Sequence, residues 1–515
     1  MKNAKKILVA VLVLLMVFSL VACGGKDEPA VKDTTLDVVL STAPVGLHPL
    51  KTNDSPSTYV NVQMFETLYR RTVDGTAYEP LLAEALPEFS EDGLTATIKL
   101  RQGVKFHDGS DFNADAVVYM IECLNDKSYG SQRPSIVESI DSYEVVDPYT
   151  IKLNLKYADG VLVAKLAHTN GAIVNPKLDK TQDFMVDATG AGTGAYKFVS
   201  ASSGASYVLT ANENYWGGAS DVKDLSFTVV ADEATAVARL QTGEADLYQT
   251  VLADSYNQVK SFSNVTLVNS PSSSVYYLAL RSNETALNDK MASKELRQAI
   301  IEAIDMDTYI AAKLDGLATT TNSIVGPTLV GYTKEMETAG YAYNMEHAKQ
   351  LIKDNGLEGT EVKFLLASRA WQQTLGAYIQ AALEEIGLKV SIETQEWASF
   401  LSTAKTDDTF DFCILSWSNV TGDGQQMLEP NFSTKNGVRL KYNNAEFDEY
   451  VDNSAKTTVL SERQDWMLKA VEKIQEDAIV KTLYSANQIY AFNKNFTNVQ
   501  MDCGGMIYMK EIKLA

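Results

Sequence analysis

Few residue groupings in this 515-residue chain could do chemistry, and they are widely spaced. Ser402-Thr403-Ala404-Lys405 sets a lysine three residues after a serine, a spacing at which an amine can activate a hydroxyl for acyl transfer. Neither Lys-Thr-Gly nor Ser-Asp-Asn accompanies it, so it predicts no enzyme. Gly190-Ala191-Gly192-Thr193-Gly194 is glycine-rich, but it lacks a following Gly-Lys-Ser/Thr and the GxGxxG register that cradle phosphates. His48, His107, His168 and His347 lie far apart, and Cys123, Cys413 and Cys503 have no CxxC spacing. The residues therefore predict no catalytic centre, no metal site and no cofactor, and they favour buried unpaired thiols over a structural zinc or a needed cross-link.

The fourth cysteine is placed differently. Lys2, Lys5 and Lys6 precede an apolar run over residues 7–22, interrupted by Ser19. The run is too short for the ~20 residues that span hydrocarbon, but it suits a signal-peptide core. Leu20-Val21-Ala22-Cys23 resembles the lipobox of bacterial lipoproteins. That resemblance implies a signal peptide at 1–22, lipidation of Cys23, and a tether over 23–35 that holds the protein on the extracytoplasmic face of the cell membrane. The formal charge of −21 would repel nucleic acid and anionic lipid surfaces, which excludes both as partners of the folded body.

Strand and helix patterns alternate from there on. Residues 36–40, 95–100 and 150–155 read as strands, the last two with period-two alternation. Apolar spacing predicts helices over 231–242, 296–312, 370–386 and 462–479, with Gly243 as a C-terminal cap of the first. Asn113 or Asp111 is placed to cap a helix starting near Ala114. Helix 370–386 stands between strands at 362–366 and 389–392, which points to an α/β sheet. No fixed-period repeat interrupts this order.

Several segments resemble, in order, the extracellular solute-binding proteins that include the oligopeptide, dipeptide, glutathione and nickel receptors of ABC importers. They are Glu79-Pro80-Leu81-Leu82-Ala83-Glu84, LRQGVKFHDGSDFNADAVVYMIE at 100–122, Gly192-Thr193-Gly194-Ala195-Tyr196, NENYW at 212–216, ATAVARLQTGEADL at 234–247, LRQAIIEAIDMDTYI at 296–310 and IQAALEEIGLKVSIETQEW at 379–397. The resemblance implies an α/β, two-lobed periplasmic-binding-protein-like fold of type II, in the large cluster with an extra subdomain in lobe I, and a ligand cleft between the lobes. It places lobe I at 36–272 with a subdomain inserted at about 53–174, lobe II at 273–487, and a return segment at 488–515 that completes lobe I. Such a protein is a monomer that captures short peptides and passes them to permease subunits in the membrane.

The same resemblance nominates ligand-binding residues. Trp417, Thr421 and Asp423 fall in the family's tryptophan-containing ligand loop. Peptide receptors commonly carry an aspartate three residues after that tryptophan to neutralise the α-amine, but Val420 stands there. Asp423 is the nearest carboxylate that could take its place. Arg369 matches an arginine that grips the ligand carboxylate in dipeptide receptors. Trp397, with Trp371, could wall the cleft, and Tyr276 lies at the first crossover between lobes. Because Val420 removes the usual amine anchor, a glutathione-like thiol, a nickel chelate or an oligosaccharide remains an alternative ligand, and a peptide-signal sensor an alternative role.

Overall fold

The computed structural model describes residues 34–282, 289–406, 409–435, 440 and 442–515. The signal-peptide and Cys23 readings lie outside the described residues. Among the described residues no helix is long and apolar enough to cross a membrane.

The frame is one sheet of eleven strands. In chain order these are β1 (Thr35–Leu40), β2 (Tyr196–Ser202), β3 (Ser206–Ala211), β4 (Asp224–Val229), β5 (Leu247–Tyr248), β6 (Val265–Leu280), β7 (Ala318–Thr319), β8 (Glu361–Ala367), β9 (Lys389–Gln395), β10 (Phe412–Ser418) and β11 (Val480–Asn493). Across the sheet they run β9-β8-β10-β6-β11-β5-β1-β4-β3-β2, with β7 pairing β11. Parallel pairs (β1 with β5, β8 with β9 and β10) mix with antiparallel ones.

Two long antiparallel strands, β6 and β11, join the lobes. Val268, Ile489 and Ala491 pack into lobe I cores, whereas Val275, Leu278, Leu483 and Tyr484 pack into those of lobe II. The changeover coincides with a register shift between Pro271 and Val275. Pro271 has no N–H for the ladder, and a bulge bends and twists the strand that carries it. The chain therefore crosses between lobes where its hydrogen bonding is least regular.

Lobe I also holds a small antiparallel sheet in the order Glu88–Phe89, Thr95–Lys99, Thr150–Leu155, Ile140–Asp147. Its hairpin Tyr69–Arg71 with Tyr78–Pro80 reaches toward lobe II. Helix α1 (Ser55–Met64) is capped by Asp54, and α2 (Ala114–Asn125) by Asn113, whose side chain accepts from the Asp115 amide at 3.0 Å. In α3 (Glu233–Thr242) Asp232 caps the start, and Gly243 ends the helix at φ 80°, a conformation glycine adopts without Cβ strain.

The expected single helix over 296–312 is two, α4 (Lys294–Glu302) and α5 (Met306–Lys313). Asp305 accepts from the Thr308 amide at 3.1 Å and so caps a new helix, a local bond that competes with helix continuation. The helix expected over 462–479 is α6 (Leu460–Glu476), and Val480 already begins β11. Gly192 and Gly194 are needed for a reason other than a tight turn. A Cβ on Gly192 would stand 2.0 Å from the Met64 carbonyl oxygen and one on Gly194 2.6 Å from that of Gln63, at the end of α1. Cys123, Cys413 and Cys503 are buried thiols outside any disulfide.

Candidate functional site

A cleft of about 780 Å³ opens between the lobes. Tyr59, Arg71, Tyr78, Gln249 and the loop 501–506 face it from lobe I; Tyr276, Trp371, Tyr484 and the loop 418–421 face it from lobe II. The crossover segments 272–274 and 486–489 form its floor. Its size and mixed apolar and polar lining are those of a small-ligand site.

On the lobe II side the wall is aromatic. Tyr276 on β6 stacks on Tyr484 of β11 at 4.6 Å between ring centroids, and Trp371 meets Tyr276 edge-on at 4.9 Å. Offset and edge-on arrangements are the favourable ones for aromatic pairs. Strand alternation sends Tyr277, one residue on, into the opposite core, where its hydroxyl donates to Asn431 at 3.0 Å.

The tryptophan-containing loop divides into an exposed part and a sealed part. Val420 is 53% exposed and Thr421 lines the cleft, its carbonyl accepting the Tyr78 hydroxyl of lobe I at 2.9 Å. Asn419 shapes the turn by accepting from the Gly422 amide at 2.9 Å and donating to the Asp423 carbonyl at 2.7 Å. Gly422, at φ 78°, then turns the chain inward. Asp423 is consequently fully buried, and both of its oxygens accept from Arg463 at 2.9 and 2.7 Å. Asp423, expected to replace the missing amine anchor, is thus bonded to Arg463 and is not among the residues that line the cleft.

The other nominated residues are not among those that line the cleft. Arg369 precedes a helix over Ala370–Glu385 and spreads its guanidinium on the Trp397 ring, 3.6 Å from the centroid. Trp397 stacks in turn on Phe400 at 5.6 Å. Trp417 pairs with Val275 across β6 and β10 and packs on a lobe II core. Of the six nominated ligand residues, Tyr276 and Thr421 are the two that line the cleft.

Charged groups facing the cleft come from segments that no motif linked. Carboxylates are supplied by Asp54, Asp254, Asp315 and Asp502, and cationic side chains by Arg71 and Lys313. Burial pushes Asp502 above the usual carboxylate range, although Arg71 and the Gly504 and Met506 amides pull it back. His168 also lines the cleft but is pushed down to about 3 by burial and by Arg133, and so is neutral. Arg71 and Tyr78 sit opposite each other in the lobe I hairpin.

Two lobes joined by a two-strand hinge around a lined cleft define a solute-binding protein of the periplasmic-binding-protein class. This chain belongs to the bacterial extracellular solute-binding proteins, family 5, whose middle region it matches over residues 77–438. It is 25% identical over 529 residues to the oligopeptide-binding protein AppA of Bacillus subtilis, with 96% of each chain covered. It is 29% identical over 456 residues to heme-binding protein A of Haemophilus influenzae, covering 82% of this chain and 81% of that one. The structure of HbpA2 from Haemophilus parasuis superposes with a TM-score of 0.85 at 25% identity, covering 93% of this chain and 100% of that chain.

Proposed function

We propose that this protein is the lipid-anchored, extracytoplasmic receptor of an ABC importer, and that it captures short peptides between its lobes. The observation that carries the reading is the interlobe cleft of about 780 Å³, walled by Tyr276, Trp371 and Tyr484 and edged by charged and amide groups from lobe I. Stacked aromatics accept varied apolar side chains, while backbone edges and a few polar groups hold a peptide main chain. The name of the Bacillus subtilis relative fits a peptide ligand. Lipidation of Cys23 would hold the receptor beside its permease, and closure about β6 and β11 would exclude water from the bound ligand.

A second reading keeps the receptor and changes the ligand to a glutathione-like thiol, a nickel chelate or an oligosaccharide. Val420 at the amine-anchor position and the sealing of Asp423 by Arg463 favour it, and the heme-binding name of another relative shows how widely the ligand can vary within this likeness.

Native mass spectrometry of the mature protein, with Cys23 replaced for solubility, tests both readings. Adducts that fragment into amino acids are the expected result. A single non-peptide adduct would move the assignment to the second reading. A bare mass followed by no thermal shift with any di- to octapeptide would overturn the peptide reading.

A further inference from the structure

Arg71 is 9% exposed, lines the cleft, and carries a buried Nη1 with no hydrogen-bond partner. A guanidinium stays charged under all working conditions, and a buried donor left without an acceptor is costly. The fold nonetheless makes room for it. A Cβ on Gly422 of the lobe II loop would stand 2.1 Å from Nη1, and one on Gly504 of lobe I 2.6 Å from Nη2. Two glycines thus flank the guanidinium where the lobes meet.

The neighbouring carboxylate does not take up this donor. Asp502 Oδ1 accepts the Gly504 and Met506 amides at 2.8 and 2.9 Å, and Arg71 acts on it through space. Lys313, the other cationic side chain of the lining, is exposed and so is well solvated. Opposite Arg71 in the hairpin, Tyr78 reaches across to the Thr421 carbonyl. Arg71 therefore stands where the lobe I hairpin meets the loop 418–422 of lobe II, at the edge of the cleft.

Resting on the peptide-receptor reading, we propose that Arg71 holds the carboxylate of the bound ligand, so that the receptor selects peptides with a free C-terminus. A carboxylate offers a guanidinium charge-assisted, geometrically matched acceptors. Selection would then come from the hairpin of lobe I, and Arg369, spread on Trp397, would not be required for it.

The test compares a random tri- to pentapeptide pool in free-acid and C-terminally amidated forms, bound to the wild type, Arg71→Lys and Arg71→Gln. The wild type should prefer the free acids about 10- to 100-fold, the ratio a hydrogen bond to a charged group supplies. Arg71→Gln should bring that ratio near one, and Arg71→Lys should keep part of it. Amidation leaves the protein unaltered, so a misfolded variant cannot mimic the result. Equal binding of the two pools by the wild type would overturn the role of Arg71 while leaving a peptide receptor. Binding of neither pool would overturn the peptide reading and this proposal with it.

Discussion

Asp423 and Arg463, forty positions apart, meet in a buried two-bond ion pair of 2.9 and 2.7 Å beside the cleft. The Nε of Arg463 also donates to the Ser454 carbonyl at 2.9 Å, so the pair ties the 418–423 loop of lobe II to the start of α6. Desolvation works against Arg463, but Asp423 outweighs it and holds the guanidinium above its ordinary range.

Removing one partner of such a pair leaves an uncompensated buried charge. Asp423→Asn should lower unfolding free energy by about 3–5 kcal/mol, measured by urea denaturation, while the folded protein keeps its ligand affinity within about threefold. The double variant Asp423→Leu/Arg463→Met should lose less than the single one, because neither charge is then stranded. A large loss of affinity with stability intact would instead make Asp423 a ligand contact.

The aromatic wall should carry much of the binding energy. Tyr276→Ala and Trp371→Ala should each weaken ligand binding by about tenfold or more, as truncation of buried aromatic contacts does. Trp397→Ala, packed between Phe400 and Arg369 and outside the cleft lining, should change it by less than about threefold. Titration calorimetry with a ligand identified by native mass spectrometry distinguishes the two groups, and the reverse ranking would relocate the site.

Gly192 tests the packing of lobe I. Gly192→Ala places a methyl 2.0 Å from the Met64 carbonyl oxygen and should lower stability by about 1–3 kcal/mol, the usual range for overpacking. Gly326→Ala, whose added carbon meets Val275 at 3.9 Å, should lie close to neutral. Melting curves of the two variants read the difference directly.

Acid should destabilise the fold through His168. Its buried ring accepts from the Asn170 amide at Nδ1, 3.1 Å away, and burial holds its pKa down at about 3. The unfolded chain therefore takes up the proton first, near the ordinary histidine value of about 6.5. Stability is fully present above that value and falls as pH drops toward 3. Between pH 7 and 4.5 His168 should account for about 2–3 kcal/mol of lost stability. His168→Asn, which keeps an acceptor for the Asn170 amide, should flatten the profile over that window; an unchanged slope would assign the loss to other groups.

Local signals in the sequence proved readable where the chain sets its own conformation. The strand at Thr150–Leu155, the helix cap at Asn113 (one of two residues the sequence offered, with Asp111) and the Gly243 C-terminal stop depend on alternation and on side chains reaching their own backbone, and were legible from adjacent residues. The helix break at Asp305 was missed because apolar spacing continues through it while a side chain three residues past the end of α4 begins a new cap. Family motifs carried the two-lobed fold because they recur in order over most of the chain.

The amino-acid sequence by itself therefore determined most of the elements and the family, and it placed the aromatic Tyr276 at the first crossover. Tertiary structure alone decided which side chains face the cleft. Asp423 looked available until Arg463, brought in from α6, closed over it. Arg71 had no motif to mark it, because its setting comes from Gly422 and Gly504, hundreds of residues further along the chain. Covalent neighbours fix helices and strands, but the partner of a buried charge is chosen by the folding together of distant segments, and that choice leaves little trace in local spacing.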